Sequence, residues 1–131
     1  MNKPESIAES LYHEALHAKL VNTLDAYDLL KFDMLKYVKS FICPWTTNSK
    51  DKEWAFMRAI GAYHVYCHLL ALHRLITLKK GIYEMWSNER IPTIREKLPI
   101  LSEYINKSKS SGIFTELGKE YFDLLSKIGE M

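Results

Sequence analysis

The sequence predicts an all-α fold: an antiparallel four-helix bundle with a long first helix and a Pro-broken third helix, forming a single helical-bundle domain over residues 1–131. Three observations carry that reading. Apolar residues recur at three- and four-residue intervals along most of the chain, the spacing that lines one face of a helix. Only five Gly and four Pro punctuate 131 residues, which leaves little material for turns. No stretch of alternating apolar and polar residues is flanked by turn residues, so no strand competes.

The first helix opens at Pro4, followed by Ser6 and Glu9 in capping-box spacing, where serine and glutamate satisfy free N–H groups reciprocally. Apolar positions then continue through Leu20, Leu24, Tyr27, Met34, Val38 and Phe41 until Pro44 forbids continuation. No Gly or Pro between Glu5 and Cys43 demands a break. A helix of about 38 residues, ~57 Å long, is expected. Its apolar stripe changes phase, because Ile7, Leu11, Ala15 and Ala18 lie on a different face from Leu20, Leu24 and Tyr27. Two apolar faces imply two partners: the bundle on one side, and the fourth helix or a second copy of the chain on the other.

Pro44 to Lys50 reads as a polar turn, after which Ser49 or Asp51 caps a second helix that runs to Lys79 and Lys80 and stops at Gly81. Between Trp54 and Leu72 its only basic or acidic side chains are Arg58, His64 and His68, so neighbours are expected to bury it on several sides. In the third helix Pro92 and Pro99 interrupt a pattern kept by Ile94, Leu98, Leu101 and Ile105, hence a broken element. Asn106 to Gly112 is a serine-rich loop. The fourth helix follows with Phe114, Leu117, Tyr121, Leu124, Leu125 and Ile128 on one side, ending near Gly129.

Composition narrows the function classes. A hydrophobic content of 47% with 26% charged residues is that of a folded globular chain. A net charge of +2 gives no bulk attraction to nucleic acid, although Lys79, Lys80, Lys107 and Lys109 could touch phosphates. Cys43 and Cys67 are too few for a disulfide framework and lack zinc-ligand spacing, so they read as buried thiols. Pro4, Glu5 and Glu9 precede any apolar run, unlike a signal or transit peptide, and this points to the cytoplasm unless the chain belongs to a particle. The uncharged stretch Ala59 to Leu72 is shorter than the ~20 residues of a transmembrane helix, so no membrane span is expected.

Five histidines supply the candidate chemistry. His13, Glu14 and His17 match the H-E-x-x-H pattern, in which two imidazoles on one helix face hold zinc and the glutamate deprotonates a bound water. The string resembles that of the zincin metalloproteases, which implies His13 and His17 as metal ligands and Glu14 as the catalytic base of a metal-dependent hydrolase. The extended continuation of that pattern is absent, because position 20 is Leu. His64 and His68 form a second pair at the same spacing.

With one hairpin turning near residue 47, His17 would face Ile76, about 12 residues or ~18 Å from His64. On that register the two pairs cannot share an ion. The same register sets His68 near Asp25 and His64 near Asp28 or Leu29, two carboxylates and two imidazoles that could hold zinc or satisfy one another in the interior.

Arg58 followed by His64 resembles the site of the helical HEPN ribonucleases. That resemblance implies a dimeric RNA-binding or RNA-cleaving module, with Arg58 stabilising a phosphate and His64 transferring a proton. Tyr63, Tyr66, Trp45, Trp54 and Trp86 could stack on bases, but without a strand framework or basic groove they read as packing residues.

In size and composition the chain resembles the small helical coat-type proteins of hyperthermophilic archaeal viruses with spindle-shaped, tailed virions. It is short, helical, poor in Gly and rich in Ile, Leu, Lys and Tyr, with an overlong first helix. The resemblance implies a virion location and homo-oligomeric or other structural partners. The leading expectation is therefore a non-enzymatic structural protein that self-associates by helix packing, with no cofactor, and with the metal-dependent hydrolase and the RNA-directed module as alternatives.

Overall fold

The computed structural model describes residues 3–130, and they are mostly helical. Four long helices, α1 (Pro4–Ala26), α2 (Phe56–Lys79), α3 (Glu84–Ser108) and α4 (Glu116–Glu130), account for most of the chain. Short 3-10 turns occupy Phe32–Tyr37, Ser49–Asp51 and Lys109–Ser111. A two-residue antiparallel hairpin pairs β1 (Phe41–Ile42) with β2 (Glu53–Trp54), in the register Phe41 to Trp54 and Ile42 to Glu53.

α2 is the hub. It packs against α1, α3 and α4, as its nearly uninterrupted apolar sequence requires. Ala59, Ile60, Tyr63, Val65, Cys67, Leu69 and Leu70 are all buried, together with His64 and His73. The larger core cluster joins α2 to Leu20, Leu29, Leu30, Leu101, Ile105, Ile113, Phe114 and Phe122. A smaller one gathers Leu16, Val65, Leu69, Leu70 and Ile94 between α1, α2 and α3. Both cysteines are buried free thiols, as expected. Burial pushes the Cys67 thiol up to about 12, so it carries no thiolate at neutral pH.

The long first helix is not formed. α1 ends at Ala26, where Tyr27 turns to an extended conformation, its N–H still bonded to the Thr23 carbonyl. The cause is a distant segment rather than a helix breaker. Leu30 bridges to Phe114, the Lys31 N–H donates to the Ile113 carbonyl, and the Thr115 N–H donates to the Leu29 carbonyl. Leu29 and Leu30 become buried in that pairing. It offsets the helical hydrogen bonds given up beyond Ala26. Gly118 is the reciprocal device on α4, because an ideal Cβ there would fall 1.9 Å from the Leu29 carbonyl oxygen.

Other boundaries shift for similar reasons. α2 starts at Phe56 instead of near Asp51, because Lys52 to Trp54 is taken into the hairpin, where the Trp54 indole donates to the Asp51 carbonyl at 2.7 Å. The hairpin itself was not expected. α2 closes with Lys80 in the left-handed region at φ 47°, one residue before the Gly81 stop foreseen. α3 is not broken: Pro92 and Pro99 both lie inside one helix, whose buried Ile94, Leu101 and Ile105 hold it in place. The expected loop after Asn106 shortens to a 3-10 turn and Gly112 at φ 80°. Gly129 lies within α4 rather than ending it.

Candidate functional site

Ending α1 at Ala26 changes the register against α2. Glu9 meets His73 at 2.8 Å, and the His17 imidazole lies against Gly61, where an ideal Cβ would be 3.3 Å from His17 Cε1. His17 therefore does not face Ile76. His68 does not stand beside Asp25, nor His64 beside Asp28, since those levels of α2 are taken by residues earlier in α1. Asp25 in the last turn of α1 and Asp28 just beyond it are exposed, and the Asp28 carbonyl accepts from the Thr115 hydroxyl.

His13 and His17 lie on one face of α1, as their spacing requires, with their Nε2 atoms 2.8 Å apart and their ring centroids 4.6 Å apart. One ring donates its Nε2–H and the other accepts. Burial, and then the neighbouring His17, hold the His13 imidazole below its ordinary range. Glu14 is exposed.

His64 is fully buried on α2. Its ring centroid is 4.5 Å from that of His68 and it stacks over Tyr121 at 6.5 Å. Among the described residues, neither of its ring nitrogens has a hydrogen-bond partner. Leaving a buried donor or acceptor unmade costs about 1–3 kcal/mol. Burial, and then the nearby His68, Lys19 and His17, push its pKa down to about 4, so the ring is neutral. His68 bonds through Nδ1 to the His64 carbonyl at 2.8 Å. A carbonyl only accepts, so Nδ1 carries the proton and Nε2 keeps a free lone pair.

Arg58 and His64 are not brought together. Arg58 is exposed and stacks over Trp54 at 4.3 Å, while His64 sits in the interior without access to a phosphate. Trp45 and Trp54 pack as expected, together with Phe41 and Tyr104, in tilted and edge-to-face contacts beside the hairpin.

A polar cluster not foreseen from the sequence joins three helices. His73, fully buried on α2, bonds through Nδ1 to the Ser87 hydroxyl at 2.9 Å and through Nε2 to Glu9 at 2.8 Å. Arg90 donates to the same Glu9 oxygen at 3.0 Å. Burial raises the Glu9 carboxyl, but the bonds from His73 and Arg90 outweigh it and leave it below the ordinary carboxylate range. Serine, imidazole and carboxylate stand in line, yet Ser87 is fully buried and no substrate can reach it. The arrangement pins helices. No local spacing links Glu9 to His73; the only hint was a histidine outside both four-residue pairs.

A cavity of about 420 Å³ lies between α2, α3 and α4, lined by Tyr63, Cys67, Arg74, Arg95, Ser102 and Glu130 among others. Among the described residues, no three histidine, cysteine or carboxylate side chains stand together in ligand positions, and no helix is long and apolar enough to cross a membrane. Comparison with protein-family models, with curated proteins and with solved structures finds no match to this chain.

Proposed function

We propose that the chain is a non-enzymatic helical structural protein, an antiparallel four-helix bundle that assembles with a second copy of itself through the outer face of α1. The observation that carries this reading is the stripe of Ile7, Leu11, Ala15, Ala18 and Val21, apolar except for the exposed Glu14 at its middle. Ile7 is 49%, Leu11 68% and Val21 56% exposed, while Leu16 and Leu20, on the opposite side of the same helix, are buried. The phase change in the sequence thus corresponds to a covered face and an uncovered one.

A second α1 running the opposite way is the occupant that fits. Ala15 and Ala18, both exposed near the middle of the helix, let two backbones approach closely. Lys3 precedes one end and Asp25 lies in the last turn at the other, so a two-fold antiparallel pair sets opposite charges together at both ends, while the two exposed Glu14 side chains near the axis turn outward to water. A role in a virion is supported by size and composition alone. The hydrolase alternative has the convergence of His13 and His17 in its favour, and it needs a bound metal.

Sedimentation over a concentration series tests assembly. The wild-type chain of 15.3 kDa is expected to move toward twice that mass as concentration rises, and Leu11→Lys to stay monomeric with the same far-UV circular dichroism. A wild-type monomer at every concentration would overturn the proposal.

A further inference from the structure

The structure points to a second property, independent of assembly. We infer that the two histidine pairs form one divalent-metal site between α1 and α2, with His17 and His64 at its centre and His13 and His68 beside them.

A first helix running to Cys43 would have kept the pairs apart. The observed contacts remove that separation. Glu9 against His73 and His17 against Gly61 fix the register at two points, and between them His13 falls at the level of residue 67, next to His68. His17 comes within about one helical turn, ~5.4 Å, of the level of His64. Gly61 and His64, three residues apart, share a face of α2. Glycine is unfavourable in a helix interior, and here its missing side chain leaves the room that the His17 ring fills.

The donor atoms are prepared. The Nε2 atoms of His13 and His17 converge to 2.8 Å, and replacing the shared proton by an ion needs them to open only to about 3.3 Å, the separation of two nitrogens ~2.05 Å from a tetrahedral centre. His68 has Nδ1 tied to a backbone carbonyl, the outer hydrogen bond that fixes a ligating imidazole and leaves Nε2 free. His64 brings two buried nitrogens with no partner among the described residues. A ring turn that carries one of them to an ion converts an unmade bond into a made one. Of the carboxylates that act on His13, Glu14 is exposed and Glu9 is already engaged by His73 and Arg90.

The rings are not yet closed around a point, since no three stand in ligand positions, so binding requires His64 to rotate toward His17. Lys19 also acts on His64, and its exposed side chain can swing into solvent as the ion enters. An all-imidazole set selects zinc, nickel or copper over magnesium or calcium, which favour oxygen ligands.

Titration calorimetry of chelator-treated protein with Zn²⁺, alongside Co²⁺ absorption spectra, tests the site. One equivalent is expected to bind and to raise the melting temperature. His17→Ala and His64→Leu should each weaken binding by at least tenfold, whereas Asp25→Asn, exposed and away from the four imidazoles, should leave it unchanged. His64→Leu discriminates further. In the metal-free protein it should keep or raise the melting temperature, because it removes two unpartnered nitrogens, so lost binding cannot be ascribed to misfolding. No Zn²⁺ binding by the wild type, or binding by His64→Leu equal to wild type, which would mean only a surface pair at His13 and His17, would overturn the inference.

Discussion

Glu9 accepts a hydrogen bond from the buried Nε2 of His73 at 2.8 Å, joining two helices across 64 residues of sequence. Because the same oxygen takes a bond from Arg90 and the other face of His73 meets Ser87, one carboxylate fixes α1 to both α2 and α3. That contact sets the level of every histidine on α1 against α2, so the candidate site depends on it.

Glu9→Ala should destabilise the chain by about 2–4 kcal/mol, since it leaves a buried imidazole N–H and a guanidinium without their acceptor. Glu9→Gln retains an acceptor and should lose less. Urea unfolding followed by circular dichroism reads both, and a Glu9→Ala midpoint equal to wild type would mean that the network holds nothing in place.

The same carboxyl makes stability depend on acidity. Its folded pKa lies below the value it takes when unfolded, so its contribution is complete above about pH 4.5 and declines as pH falls through the folded value. Between pH 6 and pH 3 the wild-type melting temperature should fall more steeply than that of Glu9→Gln. Parallel curves would assign the acid sensitivity to other carboxylates.

Gly118→Ala should be among the most damaging single changes, because the new Cβ meets a backbone carbonyl, Leu29 O, which cannot turn aside as a side chain could. A loss above about 3 kcal/mol is expected, with Leu29 and Leu30 released from the α4 entry. Gly81→Ala, with nothing within 4 Å of its Cβ, is the matched control and should be neutral to slightly stabilising. Comparable melting temperatures for the two variants would contradict the close approach.

These contacts also explain what could be read from the chain. The helical class, the burial of α2 on several sides and the two faces of α1 follow from local periodicity, which a sequence displays directly. The apolar side expected for α4 holds only in part, because Leu125 is buried but Leu117 and Leu124 are exposed, and Phe122, outside that side, is buried instead. The end of α1 does not follow from periodicity, because Ala26 is followed by good helical spacing and the competing partner is Ile113 to Thr115, far away in the chain. The hairpin over Phe41 to Trp54 has the same origin, its strands being two residues each, too short to show alternation. Misplacing that one helix end moved the register, and with it the pairing of His17 with α2. The individual histidines were therefore visible while their juxtaposition was not.

The third helix offers the converse case, in which a strong local signal was overridden. A proline removes one N–H and crowds the preceding turn, and both Pro92 and Pro99 nonetheless sit inside a continuous α3. The buried face of Ile94, Leu101 and Ile105, packed on α2, outweighs that penalty. Pro92 is exposed, so replacing it should return a hydrogen bond to the Asn88 carbonyl without disturbing the core. Part of the roughly 3 kcal/mol helix penalty is offset by the freer unfolded chain of an alanine, leaving a gain of about 1–2 kcal/mol for Pro92→Ala. Thermal unfolding should then shift upward by roughly 3–8 °C. A downward shift would mean that a bend at Pro92 is required for α3 to follow α2, and that the proline shapes the helix it was expected to break.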